Sequence, residues 1–186
     1  MNDKGIARWK LFSPFLFLRL EYEERLTYNL ASVLCGGLVV LAYIFLPIKP
    51  SLIGSEGLLT GIQSFVTILF PFFVAALVAV ATFSRKGLDA KPSGGQVKLS
   101  RRNETVKLLT RRQFICFIFG YCASLSLILF VGIIISRAMY PWVMFEFHDA
   151  LPYLRIGSLF LVTIIFSHMV IITFWGLYYL TDRINN

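Results

Sequence analysis

Residues 113–136 read QFICFIFGYCASLSLILFVGIIIS, with Arg111-Arg112 before them and Arg137 after them. No Asp, Glu, Lys or Arg lies between those arginines. A helix rises about 1.5 Å per residue, so this run can cross the roughly 30 Å hydrocarbon core of a bilayer. Three more stretches have the same character: Tyr28 to Ile48, Leu58 to Phe83 and Ser158 to Leu180. The spacing predicts an all-α polytopic membrane protein with four transmembrane helices.

Composition agrees. Of the 186 residues, 57% are hydrophobic and only 15% charged. A soluble domain carries about 25% charged residues and could not bury so much apolar surface at this length. Cys35, Cys116 and Cys122 all fall inside apolar runs. They form neither a disulfide framework nor a zinc pattern, and read as small packing residues. No secretory signal peptide is visible, because the apolar stretch Pro14 to Leu18 is too short.

Lysine and arginine set the expected sidedness. Segment 1–27 holds five: Lys4, Arg8, Lys10, Arg19 and Arg25. The loop 84–112 holds nine: Arg85, Lys86, Lys91, Lys98, Arg101, Arg102, Lys107, Arg111 and Arg112. The tail 181–186 adds Arg183, whereas the other side has only Lys49, Arg137 and Arg155. Both termini and the basic loop are expected in the cytoplasm, which suits a cell inner membrane. The sequon Asn103-Glu104-Thr105 then stays unmodified. Trp175, Tyr178 and Tyr179 at one end, and Tyr140, Trp142 and Tyr153 at the other, fit interfacial belts.

This gives an interfacial segment 1–27, a hairpin 28–83, the basic loop 84–112, and a second hairpin 113–180 with an outer interfacial segment 137–157. Ser13-Pro14 reads as a helix start, predicting an interfacial helix through Arg25 that dips Trp9, Leu11, Phe12, Phe15 and Phe17 into the bilayer. The loop Lys49 to Gly57 is expected to pair the first two helices side by side. Pro141 is expected to open a short outer helix that Pro152 ends. In the basic loop, Val97, Leu99 and Thr105 to Leu108 alternate as a hairpin would. The reading favoured for 104–112 is a helix that extends the third span.

Several side chains within the spans stand out. His168 sits near the middle of the fourth and shares a face with Trp175 and Tyr179. It reads either as a pore-lining or pH-sensing residue, or as a neutral imidazole bonded to a nearby Ser or Thr. Cys116, Gly120, Ser124, Gly132 and Ser136 stand on one four-residue ladder, and Ala75 and Ala79 repeat the spacing in the second span. Small residues so placed let helix backbones approach, within one protomer or between protomers. Gln63, Ser64 and Thr67 beside Pro71 read as a bent helix or a gate hinge. Gly36-Gly37 is a second bend candidate. Outside, Glu146, His148 and Asp149 form no convincing metal set; they read as solvated charges, or as a cation-attracting mouth in an oligomer.

The basic loop opposes nine cations with only Asp89 and Glu104. Orientation and lipid headgroups explain part of that excess, and an anionic ligand would explain the rest. The candidate contacts are Arg85, Lys86, Lys98, Arg101, Arg102, Lys107, Arg111 and Arg112. Without aromatics in the loop, phosphate contact is more natural than base stacking. No Gly-rich phosphate loop, paired intramembrane carboxylates, nucleophile motif or metal-binding pair is present. The chain is therefore expected to be neither an enzyme nor a cofactor protein.

Two classes remain. One is an oligomeric channel, since four helices of a short chain do not easily enclose water and stay packed. Four copies, as in a tetramer, would gather about +28 charges into one ring. The other is a non-catalytic helical subunit or adaptor of a larger membrane complex.

Four spans, cytoplasmic ends and the basic loop from Arg85 to Arg112 resemble the small transmembrane effectors of bacterial anti-phage systems, and are most similar to the Hailong transmembrane effector. The resemblance implies a homo-oligomeric ion channel whose opening depolarises the infected cell. It also implies a nucleotide-derived ligand made by a companion nucleotide-synthesising enzyme. It carries no site residue over to this chain.

Overall fold

The computed structural model describes residues 15, 17–18, 20–21, 25–47, 50–54, 56–82, 98–101, 104–147 and 149–184. Its body is helical. α1 (Arg25–Phe45), α2 (Leu58–Thr82), α3 (Arg111–Glu146) and α4 (Leu151–Ile184) are each long and apolar enough to cross a membrane. Three short strands accompany them: β1 (Leu20–Glu21), β2 (Lys98–Arg101) and β3 (Glu104–Leu108). They form one antiparallel sheet in the order β1-β2-β3.

The helices do not pack as two sequential hairpins. α2 lies along α3, α1 lies along α4, and α3 and α4 meet in the middle. The order across the bundle is therefore α1–α4–α3–α2, which corrects the expectation that the first loop pairs α1 with α2. That loop instead crosses the end of α4. Leu52 is buried with Val40 of α1 and Leu159 of α4, and Ile53 packs against both this cluster and the main core. Hydrogen bonds fix the crossing. Leu58 and Leu59 donate their backbone N–H groups to Ser51 O and Leu52 O, which satisfies two orphan donors at the start of α2. Thr60 Oγ1 donates to Gly54 O at 2.6 Å. Gly54 has φ +152°, and a Cβ on Gly57 would stand 2.6 Å from Leu52 O; both turns need glycine.

Each interface follows a stripe. On α2 the buried residues are Leu59, Val66, Phe73 and Val80, a strict seven-residue repeat. That is the seam of a helix packed along one neighbour. α3 is the hub, with Phe114, Ile115, Ile118, Phe119, Tyr121, Cys122, Leu125, Ser126, Leu129 and Ile133 buried. α1 buries Ser32, Gly36 and Val40, one per turn, and presents lipid-compatible side chains elsewhere.

Three local expectations are corrected. The stretch 104–112 is not one helix: 104–108 is strand β3, and α3 starts at Arg111. A capping box sets that start. Gln113 N donates to Thr110 Oγ1 at 3.3 Å, and Thr110 N donates to Gln113 Oε1 at 3.4 Å. Pro141 opens no separate outer helix; it lies inside the continuous α3, on an exposed position near its end. Pro152 ends nothing either, because it sits in the first turn of α4, where its missing N–H is harmless. The helix expected through Arg25 is interrupted at Leu20–Glu21, which is strand β1. Its start at Ser13-Pro14, with Trp9, Leu11 and Phe12, lies outside the described residues.

Candidate functional site: an interior histidine, two arginine clamps and a basic sheet

α1 and α4 close like a zip. Tyr28, Ser32, Gly36 and Val40, spaced by four, meet Trp175, His168, Ile164 and Leu159 in antiparallel order. The Tyr28 and Trp175 ring centroids are 5.3 Å apart. Ser32 Oγ lies 3.0 Å from His168 Nδ1. A Cβ on Gly36 would stand 2.7 Å from Ile164 Cγ1 and 3.1 Å from its backbone. Val40 and Leu159 share a cluster. Ser32 supplies the hydroxyl neighbour that one of the two readings of His168 expected. Gly36 serves close approach, while Gly37 has nothing within 4 Å of its Cβ position.

α3 completes the surroundings of the histidine. Tyr121 stands edge-on to His168 at 5.8 Å between centroids. It also meets Phe17, stacked at 4.8 Å, and Phe15, edge-on at 6.2 Å. Phe17 is only 2% exposed. Those two phenylalanines were expected in the bilayer interface; Phe17 belongs instead to the bundle core, and Phe15 packs against it, partly buried. His168 lies thirteen residues from Arg155, about 20 Å along α4, and Tyr121 ten residues from Arg111, about 15 Å along α3. The cluster therefore sits well inside the apolar layer. On either side of the cluster, Thr173 Oγ1 donates to Met169 O at 2.7 Å and Ser126 Oγ to Cys122 O at 2.8 Å. These hydroxyls return their protons to backbone carbonyls one turn back, a structural use.

Two arginines brace α2 against α3 at opposite ends. Arg112 Nη1 donates to Ala81 O at 3.3 Å. α2 has no basic residue in its last turn and α3 no acidic residue in its first. Arg112 thus turns from the positive end of its own helix dipole toward the negative end of its neighbour's. At the other end Arg137 Nη1 donates to Gln63 Oε1 at 3.2 Å. From Gln63 to Ala81 is eighteen residues, about 27 Å, close to the thickness of the hydrocarbon core. The clamps therefore bracket a membrane-sized length of α2. Gln63, predicted beside a hinge, is an arginine partner; Arg137, counted only as an external charge, is the residue that sequence reasoning missed. Gln63→Leu should lower the thermal midpoint in detergent by removing a charged hydrogen bond worth about 1.5–3 kcal/mol. Gln63→Leu combined with Arg137→Met should recover part of the loss in a double-mutant cycle. Strictly additive losses would mean the two side chains do not act together.

The small-residue ladder divides in two. Cys116, Gly120 and Ser124 are half-buried, with a Gly120 Cβ position 3.5 Å from Leu77 of α2 and Ser124 Oγ donating to Gly120 O at 2.9 Å. Gly132 and Ser136 are exposed, with Ser136 Oγ donating to Gly132 O at 2.8 Å. On α2, Gly61, Ser64, Thr67 and Pro71 are exposed too. Thr67 Oγ1 donates to Gln63 O at 2.8 Å.

The predicted anion contacts are split by the fold. Lys98, Arg101 and Lys107 lie in the sheet, and Arg111 and Arg112 open α3. Arg85, Lys86 and Arg102 lie outside the described residues. In backbone register, Glu21 stands opposite Lys98 and Glu104 opposite Arg101. At the far end, Arg155 donates to the Tyr140 hydroxyl, and its guanidinium carbon is 5.5 Å from that ring's centroid. His148 lies outside the described residues, and no group of acidic, His and Cys side chains that could hold a metal occurs among those described.

The chain matches no protein-family model, no curated protein and no solved structure.

Proposed function

We propose that the protein is a homo-oligomeric channel of a cell inner membrane, with both termini cytoplasmic. The supporting observation is the exposure of Gly132 and Ser136 on α3 together with Gly61, Ser64 and Thr67 on α2. These are small or hydroxyl-bearing residues within spans, and the protomer's own core leaves them uncovered. A row of four helices in the order α1–α4–α3–α2 does not close around water. Several copies joined through the α2–α3 side can, and their small residues permit close helix contact or line a narrow path.

In this reading the sheets of the assembled copies form a cytoplasmic ring that senses an anionic ligand. Lys98, Arg101 and Lys107 stand just ahead of Arg111 and the positive end of the α3 dipole, which favours phosphate groups. A nucleotide or oligonucleotide made by a companion enzyme fits that charge. Opening would depolarise infected bacteria, as the resemblance to defence effectors implies. Purified protein in liposomes should pass ions, and a short single-stranded oligonucleotide should change the flux. Replacing Lys98, Arg101 and Lys107 by Gln should weaken that response and flatten its salt dependence. A strictly monomeric mass in mild detergent would end the channel reading. Correctly inserted oligomers that never conduct, with or without oligonucleotide, would favour the adaptor class.

A further inference from the structure

Ser32 decides which nitrogen of His168 carries the proton. A serine hydroxyl has one hydrogen, and Ser32 Oγ donates it to Tyr28 O at 2.7 Å. The same oxygen lies 3.0 Å from His168 Nδ1. With its hydrogen committed, it meets the ring as an acceptor, so Nδ1 is the donor. A neutral imidazole has a single N–H, which leaves Nε2 as a bare lone pair.

We propose that His168 is a proton-receiving site, that Nε2 is the receiving atom, and that proton uptake there loosens the α1·α4 seam. Ser32 holds Nε2 open; it is not the bond that breaks, because Nδ1 still donates to it after Nε2 is protonated. What changes is the charge. Leu26 to Phe45 of α1, Gln113 to Ser136 of α3 and Ser158 to Leu180 of α4 contain no Asp, Glu, Lys or Arg. The titratable side chain that the structure sets against the ring is Tyr121 of α3, edge-on at 5.8 Å. None of these spans offers an imidazolium a carboxylate, so at this depth it must be hydrated. His168 itself is half-buried, and one turn along the seam there is no slack for water, since Gly36 brings α1 against the backbone of Ile164. Hydrating the ring from the seam side therefore requires α1 and α4 to part. The site works in the same way whether or not the assembly conducts.

The chain has only two histidines, so a His148→Gln background leaves one ring to observe. With ring-¹⁵N histidine in lipid vesicles, the neutral form should show a protonated Nδ1 and a bare Nε2. Ser32→Ala should release that preference toward the Nε2–H tautomer. Acidification should add the second proton at Nε2 and lower the protection of α1 amides, taken against the intrinsic exchange rate at each pH, by about tenfold. His168→Gln, which can still donate to Ser32 but takes no proton, should abolish that loss of protection. An Nε2–H tautomer as the neutral form of the histidine, or an α1 protection that responds to acid equally in His168→Gln, would overturn the proposal. Both readouts come from protein that retains Ser32, so a poorly folded Ser32→Ala variant leaves the test intact.

Discussion

Gly36→Leu should detach α1 from the bundle. A Cβ at this position would stand 2.7 Å from Ile164 Cγ1, and that side-chain carbon could rotate away. The Cα and N of Ile164, at 3.1 Å, cannot move without moving α4. The rest of a leucine side chain then has no room at all, and the helices must separate along the whole Tyr28-to-Val40 zip. Overpacking of this kind costs about 1–3 kcal/mol. Losing the Ser32–His168 bond with the seam adds about 1 kcal/mol. The thermal midpoint in detergent should fall sharply, and a disulfide engineered between Val40→Cys and Leu159→Cys should no longer form. Gly37→Leu supplies the control. Nothing lies within 4 Å of its Cβ position, and a glycine inside a helix costs up to about 1 kcal/mol relative to a good helix former. That variant should be as stable as the parent or more so. Equal losses from the two substitutions would show that the seam is not where the close approach occurs.

The contrast between these neighbouring glycines shows how far the sequence can be read. The four spans were legible because charge is absent over lengths that match a bilayer. Helix partnering was not. In a membrane both faces of a helix are apolar, so the contrast that marks a buried face in a soluble protein is missing. Leu59, Val66, Phe73 and Val80 form a seven-residue repeat, but phenylalanines and valines fill the intervening positions equally well. On α1 the signal was present: Ser32, Gly36 and Val40 continue a four-residue line from Tyr28, and Gly36 reads as a bend only when that line is ignored. At the basic end the alternation of Thr105 to Leu108 favoured a strand, while Glu104 to Arg112 also satisfied helix propensity. Thr110-x-x-Gln113 decides between them, because the capping box needs a non-helical residue at Thr110. His168 was legible as an unusual residue, and its bonding to a serine was one of the two readings available. The identity of that serine depends on which helix lies alongside, and so was hidden with the helix order.

Phe17→Ala is expected to free the chain ahead of α1, with a loss as large as any single core truncation. The ring is almost fully covered, and it stacks at 4.8 Å on Tyr121, a residue of the α3 core. Phenylalanine-to-alanine changes at such sites cost about 3–5 kcal/mol through lost burial and the cavity left behind. Phe15 alone, edge-on at 6.2 Å, offers less contact with Tyr121. The remaining hold in the described chain before α1 is β1, whose Leu20 and Glu21 pair with Leu99 and Lys98. A two-residue strand at a sheet edge is weak without a packed neighbour. Trypsin added from the basic side should therefore cut after Arg19 and Arg25 much faster in Phe17→Ala than in the parent. Leu18→Ala, at a side chain 42% exposed, should change the rate little. Unaltered resistance in Phe17→Ala would mean that β1 alone anchors this segment. A faster cut would place the anchor at Tyr121, the same ring that stands edge-on to His168. The basic sheet and the interior histidine would then be joined by one continuous line of contacts, from β2 through β1 and Phe17 to Tyr121.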